Sequence, residues 1–184
     1  MILVMKRILF LLVSFLLLVS CEEELVSCEE DPFNAFLNQE SYRPDPDWDI
    51  YPVNVHFMVT DTQGRNLFDE STPDNWLTKS FSATFDGKEF VWPSAPTKFY
   101  LATLKGFYLN PYYPIDHRAT LFFGELDGLK KWDTDLCITW PDGSKDKIRV
   151  QHAIRWTKEG WPDAYTGFKV NGVPVEGDVI YLTK

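Results

Sequence analysis

Apolar and polar residues alternate most regularly between Phe122 and Trp156. One alternating segment precedes an Asp142-Gly143 pair and a second follows it. The positions on one face are Leu136, Ile138 and Trp140 in the first segment, and Ile148, Val150, His152, Ile154 and Trp156 in the second. A period of two is typical of a half-buried strand, and Asp-Gly between two such strands is typical of a hairpin turn. The pattern therefore predicts a hairpin with one apolar face.

The apolar face also predicts how the two strands of this hairpin pair. A loop of Asp142, Gly143 and Ser144 places Ile138 opposite Ile148 and Leu136 opposite Val150. A two-residue loop would place Ile138 opposite Lys147, because a slip of one residue reverses the face of every side chain. The three-residue loop at 142–144 is therefore the predicted one.

The same period recurs through most of the chain. Val53–Thr60 alternates as a first strand, and residues 66–76 form an irregular loop that contains Pro73. Asp86-Gly87 and Asn171-Gly172 each predict a two-residue hairpin turn. The first turn pairs Ala83 with Phe90 and Phe81 with Trp92, and the second joins Phe168 and Val170 to Val173 and Val175. Phe99–Leu109, Thr120–Leu126 and Val179–Leu182 are further predicted strands.

These segments amount to nine or ten short strands without a convincing long helix. Such a pattern predicts an all-β fold, and we expect an antiparallel β-sandwich, with a closed β-barrel as the alternative.

The N-terminus has the pattern of an export signal. Lys6 and Arg7 precede 13 mostly apolar residues, which are too few to span a membrane comfortably. Leu18-Val19-Ser20-Cys21 resembles the lipobox of bacterial lipoproteins, in which the signal is removed before a cysteine that is then acylated. A second copy, Leu25-Val26-Ser27-Cys28, follows acidic residues 22–24 that interrupt the apolar run, so Cys21 is the predicted lipidation site.

This interpretation divides the chain into a signal peptide (residues 1–20), a lipidated acidic tether (residues 21–49) and a β-sandwich domain (residues 50–184). Within the tether, Phe33, Phe36 and Leu37 are able to form a short helical turn that docks on the domain. The acidic residues after Cys21 resemble the signal that sends Bacteroidota lipoproteins to the outer face of the outer membrane, although the usual Lys or Gln is absent. We therefore expect a lipid-anchored protein of the outer membrane at the cell surface, with the periplasmic face as the alternative.

Charge and cysteine content narrow the possible partners. The net charge is −9, and removal of Lys6 and Arg7 with the signal changes it to −11. Nucleic acid is therefore not an expected partner, and adsorption to anionic headgroups is disfavoured, so membrane attachment is expected through the N-terminal lipid. Of the three cysteines, Cys28 and Cys137 are free either to form a disulfide or to remain thiols.

Motifs for catalysis and cofactors are missing from the sequence. There is no Gly-x-Ser-x-Gly, His-Glu-x-x-His, Cys-x-x-Cys or phosphate-binding loop, and we expect no metal, no cofactor and no enzymatic activity.

His152 is interpreted as a hydrogen-bonded core histidine and His56 as a solvated or partly buried one. A minor alternative is a glycoside hydrolase that uses the carboxylates of Glu125, Asp127, Asp133 and Asp135. Lys147, Arg149 and Arg155 are expected on a solvated face neutralised by cross-strand acids, with an anion-binding stripe as the alternative.

Aromatic residues in loops give the candidate ligand site. Four aromatic residues lie in Pro- and Gly-containing loops where strand periodicity does not account for them: Tyr112, Tyr113, Trp161 and Tyr165. His117 and Arg118 complete the candidate site as polar contacts at its rim. Such rings suit a sugar or a protein surface, and they also suit the ends of a sandwich core. The hypothesis is that the two loops meet at one end of the sandwich.

Several segments resemble small surface lipoproteins of Bacteroidota. They are Val53-Asn54-Val55 through Asp61-Thr62-Gln63-Gly64, Phe123-Gly124-Glu125-Leu126-Asp127, Trp140-Pro141-Asp142-Gly143-Ser144 and Phe168-Lys169-Val170-Asn171-Gly172. The resemblance covers most of residues 50–184 and implies an immunoglobulin-like or transthyretin-like sandwich, but it implies no activity and no site residues. We expect a non-catalytic module that binds a glycan or a protein as an accessory to uptake or adhesion. A structural envelope lipoprotein is the alternative.

Overall fold

The computed structural model describes residues 30–43, 50, 52–93, 104, 106–110 and 118–184. These residues form one short helix and ten strands. The elements are α1 (Pro32–Leu37), β1 (Val53–Thr60), β2 (Phe81–Phe85), β3 (Lys88–Trp92), β4 (Gly106–Asn110), β5 (Thr120–Leu126), β6 (Trp132–Thr139), β7 (Lys145–Trp156), β8 (Pro162–Val170), β9 (Val173–Pro174) and β10 (Val179–Thr183). The signal peptide, Cys21 and Cys28 lie outside the described residues, as do residues 99–103 of the strand predicted from Phe99.

The strands form two sheets that face each other. The four-stranded sheet has the order β10-β1-β5-β4, and the six-stranded sheet has the order β3-β2-β6-β7-β8-β9. The sheets do not close into a barrel, so the predicted all-β sandwich is confirmed. One pair departs from the expected antiparallel arrangement, because β10 runs parallel to β1 and pairs Phe57 with Ile180. These strands come from opposite ends of the domain, so no hairpin turn forces them to be antiparallel.

The two-residue hairpins have the predicted registers. Ala83 pairs with Phe90 and Phe81 with Trp92 across a turn in which Asp86 and Gly87 both have positive φ. Val170 pairs with Val173 across Asn171-Gly172, and these two residues also have positive φ. Two positive φ values are the requirement of a type I′ turn, which explains why Asp-Gly and Asn-Gly predict it well.

The register predicted for the β6–β7 hairpin is wrong by two residues. Leu136 pairs with Ile148, and Ile138 pairs with Asp146. The loop has the predicted three residues but begins one residue earlier, since Gly143 N donates to Trp140 O at 2.9 Å and Trp140 N donates to Ser144 O at 2.9 Å. Pro141 suits the second position of a type I turn, and Gly143 (φ 82°) supplies the left-handed residue that follows it. The face of each side chain is preserved because the shift is even.

Aromatic rings fill the space between the sheets. Trp140 is only 2% exposed, which confirms its predicted place in the core. Its ring lies 5.4 Å from that of Phe81 and 5.8 Å from that of Trp76. Trp76 belongs to the irregular loop, which also buries Leu67 and Phe68. This loop therefore contributes part of the core although it forms no strand of the sandwich.

Helix α1 docks on the outer face of the six-stranded sheet, the face turned away from the four-stranded sheet. Phe33 is buried, and its ring lies 5.3 Å from that of Tyr165. Further along, Tyr42 N donates to Trp156 O at 3.0 Å. The compact unit of the chain runs from Pro32 to Lys184, so residues 32–43 of the segment expected as a tether belong to the domain. The helical turn expected around Phe33 is present.

Candidate binding surfaces

Strand β7 runs the length of the sandwich, from the end that contains Asp146 to the end that contains Trp156. At the Asp146 end, Lys184 Nζ bonds to Asp146, and Lys184 N donates to Thr60 O at 2.8 Å. At the Trp156 end, Trp156 pairs with Pro162. His152, four residues before Trp156, bonds through Nε2 to Gly128 O at 2.8 Å, which places the β5–β6 turn at the Trp156 end as well.

The six residues of the predicted ligand site do not form one cluster. Tyr112, Tyr113 and His117 lie outside the described residues. Arg118 is exposed and precedes Ala119, whose carbonyl accepts a hydrogen bond from Asn66 at 2.7 Å. Asn66 forms a bridge with Thr60, so Arg118 lies at the Asp146 end. Trp161 lies at the opposite end, and these two residues therefore do not share a site.

Tyr165 is not a loop residue, which corrects the prediction. It lies within β8 opposite Ala153, and its ring is 5.3 Å from Phe33 and 5.9 Å from Phe36. The sequence suggested a loop because Gly160, Pro162 and Gly167 surround it. Pro162 instead occupies the first position of the strand, where the absence of an N–H is tolerated. Tyr165 is therefore part of the surface on which α1 docks.

Trp161 does lie in a loop, as predicted. Thr157 N donates to Trp161 O at 2.9 Å, and Gly160 N donates to Thr157 O at 3.0 Å. Gly160 has φ of 84°, so this loop has the same three-residue form as Pro141–Gly143. The Trp161 side chain is 61% exposed. It is therefore not a cap on the core.

An open groove lies on the outer face of the six-stranded sheet, near the Asp146 end. Its volume is about 520 Å³, and the described residues that line it are Asp135, Lys147, Arg149, Lys169, Asn171 and Gly172. Arg149 stands opposite Asp135 on β6 and opposite Lys169 on β8. Three cationic side chains line the groove, against Asp135 in the lining and Asp133 beside it, so the groove has a small excess of positive charge although the whole chain has a net charge of −9. The sequence offered only the alternation of Lys147 and Arg149 as a signal for this groove.

Ion pairs hold the charged side chains of the groove in place. Arg149 Nε lies 2.8 Å from Asp133 Oδ1, and Arg149 Nη1 lies 3.2 Å from Asp135 Oδ1. Lys147 Nζ lies 2.8 Å from Asp135 Oδ2. The hydrogen bond from Lys147 lowers the pKa of Asp135, and the hydrogen bond from Arg149 adds a smaller effect in the same direction. The contact between Lys147 and Asp135 also raises the pKa of Lys147. The predicted face of cations neutralised by cross-strand acids is confirmed.

The same contacts assign roles to three of the carboxylates considered for hydrolysis. Asp133 and Asp135 both bind the Arg149 guanidinium on an open sheet face. Asp127 Oδ1 accepts a hydrogen bond from Leu129 N at 2.9 Å in the β5–β6 turn. These carboxylates therefore have structural partners. Within the described residues, no group of three or more His, Cys, Asp or Glu side chains is placed to hold a metal ion.

Two histidines have the environments expected of them. His152 is 3% exposed and bonds to Thr166 Oγ1 and Gly128 O, both at 2.8 Å, as predicted for a core histidine. His56 is partly buried on the outer face of the four-stranded sheet, with its ring 4.2 Å from that of Phe122. Burial lowers the pKa of His56, and nearby Asp178 opposes this effect. Neither histidine lines the groove.

A buried ionic network lies at the Asp146 end, and the sequence interpretation missed it. Asp146 Oδ2 accepts hydrogen bonds from Lys184 Nζ and from Trp140 Nε1, the latter at 2.7 Å, and Asp146 Oδ1 accepts one from Asn171 Nδ2 at 3.0 Å. The side chains of Asp146 and Lys184 are only 7% and 10% exposed. A carboxylate on the same face as Ile148 and Val150 was the available signal, since an unpaired charge is costly there.

Comparisons with protein-family models, curated proteins and solved structures find no match to this chain. Among the described residues, no helix has the length and apolar character needed to cross a membrane.

Proposed function

We propose that this protein is a surface-anchored, non-catalytic lipoprotein of the outer membrane, attached through Cys21, whose sandwich binds a glycan as an accessory to uptake or adhesion. The groove on the outer face of the six-stranded sheet is the observation that carries the proposal. Its volume of about 520 Å³ is within the usual range for ligand sites, roughly 300–1,000 Å³.

The chemistry of the groove favours a glycan over a protein surface. Asp135 supplies acceptors, whereas Lys147 and Arg149 supply donors, and sugar hydroxyls both donate and accept. Centres of protein interfaces are instead enriched in aromatic residues and depleted of charge. The ion pairs also hold these side chains before a ligand arrives, which lowers the entropic cost of binding.

The charge of the lining favours a glycan that carries carboxylate or sulfate groups. Lys147, Arg149 and Lys169 come from neighbouring positions on two strands, so an anionic group between them would contact more than one cation. Charge-assisted hydrogen bonds are the stronger class, each contributing about 1.5–3 kcal/mol. An anionic group therefore contributes more to affinity here than a neutral hydroxyl does.

A glycan array probed with the full chain, followed by calorimetry, tests the proposal. Lys147→Gln and Lys169→Gln should each weaken the binding of an acidic glycan about tenfold or more, as expected for one charge-assisted contact. Lys88→Gln is the matched control, because Lys88 is an exposed strand lysine that does not line the groove. The proposal is wrong if no glycan binds, or if the two groove variants bind as the control does.

A further inference from the structure

The exposed hydrophobic side chains of the domain are unevenly placed. Six large ones are exposed in the part of the chain that the structure describes: Tyr42, Val91, Leu129, Trp161, Val173 and Tyr181. Three of the six, Tyr42, Leu129 and Trp161, lie at the Trp156 end. They come from three separate segments of the chain, so their shared location does not follow from sequence proximity.

Hydrogen-bonded backbone holds each of these side chains at the surface. Leu129 follows Asp127, whose side chain accepts its N–H, and Trp161 closes the loop that begins at Thr157. Tyr42 N donates to Trp156 O. Leu129 and Trp161 are 57% and 61% exposed. Rigid turns that present apolar side chains bind a surface at low entropic cost.

The N-terminal part of the compact unit also docks at this end. Helix α1 contacts Tyr165 through Phe33, and the chain then reaches Trp156 through Tyr42. Cys21 precedes Pro32 by 11 residues in the sequence. A chain of that length spans at most about 40 Å. A lipid on Cys21 therefore keeps α1, and with it the Trp156 end, within that distance of the membrane.

We propose that the Trp156 end contacts the lipid surface through Trp161, Leu129 and Tyr42, an inference that rests on the proposed lipid attachment at Cys21. Trp and Tyr suit the boundary between headgroups and acyl chains because their rings are apolar and carry one polar atom. The proposed contact is made by apolar side chains, and the net charge of −11 that remains after removal of residues 1–20 does not favour general adsorption to anionic headgroups.

This orientation has a consequence for the groove. Lys147 and Trp156 are nine residues apart on β7. A strand rises about 3.3 Å per residue, so this spacing corresponds to roughly 30 Å. With the Trp156 end on the lipid and β7 directed away from it, the groove opens on the side of the domain roughly 30 Å from the lipid surface, where a large glycan can reach it.

Tryptophan fluorescence in vesicles tests the orientation. The lipidated full chain is reconstituted into phosphatidylcholine vesicles with or without brominated acyl chains, which quench tryptophan on contact. The difference between wild type and Trp161→Phe isolates the emission of Trp161. We expect this emission to be shifted to the blue and quenched by the brominated lipid. Flotation of the same vesicles measures anchoring independently.

A second tryptophan at the opposite end serves as the matched probe. Val173 is exposed in the β8–β9 hairpin, at the Asp146 end, so Val173→Trp in the Trp161→Phe background should remain unquenched. The proposed orientation is wrong if both probes are quenched, if neither is quenched, or if only the probe at residue 173 is quenched. In each of these cases co-flotation of the protein with the vesicles would show that the lipid anchor is still present. Failure to co-float removes the anchor and the orientation together. Unchanged glycan binding in solution would then show that the binding function stands without either.

Discussion

Replacing Asp146 with alanine should destabilise the domain by about 3–5 kcal/mol, the usual cost of removing one partner from a buried ion pair. The substitution leaves three donors without their acceptor: Lys184 Nζ, Trp140 Nε1 and Asn171 Nδ2. Lys184 is the most costly of these, because its charged side chain is only 10% exposed. For a domain of this size each kcal/mol lowers Tm by roughly 2–4 °C, so the expected decrease is about 6–20 °C.

A double-mutant cycle separates the ion pair from the neutral hydrogen bonds. Lys184→Met removes the charge and keeps an apolar side chain of similar length. In the Lys184→Met background, Asp146→Ala should cost less than it does in the wild type, because no buried lysine is left without a counterion. Equal costs in the two backgrounds, measured by urea denaturation, would refute an energetic coupling between Asp146 and Lys184.

The same network predicts a loss of stability in acid. Burial opposes ionisation of Asp146, but the hydrogen bonds from Lys184, Asn171 and Trp140 outweigh it and lower the pKa of this carboxyl below 3.8. Between the folded pKa and 3.8 the unfolded chain binds more protons than the folded one, so stability falls as the pH falls through this range. The denaturation midpoint should therefore decrease below about pH 4. This acid-dependent decrease should be smaller in Asp146→Ala, and an identical decrease would contradict the assignment.

Four other substitutions, one of them paired with a control variant, give independent tests. Trp140→Ala should cost about 3–5 kcal/mol as a core truncation, and a change below about 1 kcal/mol in urea denaturation would contradict its burial. Phe33→Ala should lower the free energy of unfolding by about 1.5–3 kcal/mol because it undocks α1. Trp161→Ala is the exposed control and should change it by less than about 0.5 kcal/mol. Equal effects of the two substitutions would argue against a docked helix. Burial lowers the pKa of His56, so the unfolded chain binds more protons than the folded one and stability should fall as the pH decreases below about 6.5. His56→Gln should reduce this fall. An unchanged pH profile in the variant would assign the fall to another group. Cys21→Ser should move the protein from the detergent phase to the aqueous phase, and retention in the detergent phase would disprove lipidation at that residue.

Local turn chemistry explains which parts of the fold could be predicted from the sequence. Asp86-Gly87 and Asn171-Gly172 adopt positive φ at both residues and allow few other turns, so both hairpins have the predicted registers. Trp140-Pro141-Asp142-Gly143 allowed two placements of a three-residue loop, and both preserve the apolar face. Hydrophobic alternation does not distinguish placements that differ by an even shift. The observed placement is closed by the hydrogen bond from Gly143 N to Trp140 O, and the period of the apolar residues carries no information about that bond.

Contacts between distant segments explain what could not be predicted. Tyr165 was assigned to a loop because its own neighbours include Gly and Pro, and its partners Phe33 and Phe36 lie about 130 residues earlier in the chain. The parallel pairing of β10 with β1 likewise joins the two ends of the domain. The role of Asp146 was not identified because its partner, Lys184, lies 38 residues later in the chain, and only the fold brings the two side chains together.

The outer positions of β7 relate the two proposed surfaces to each other. Along this row Lys147 is exposed and Arg149 is partly exposed, whereas Gln151 and Ala153 are buried. The neutral positions lie where α1 docks, because Ala153 lies opposite Tyr165, the residue that contacts the helix, and the charge that returns at Arg155 is paired with Asp163. A charged residue at position 153 would be buried beneath α1 without a partner, whereas one at position 147 remains in water. The neutral positions 151 and 153 thus mark the part of the face that holds the N-terminal segment, and positions 147 and 149 mark the part that lines the groove. An Ala153→Lys substitution should undock α1 and leave glycan binding in the groove unchanged, and a joint loss of both would show that the two halves are not independent.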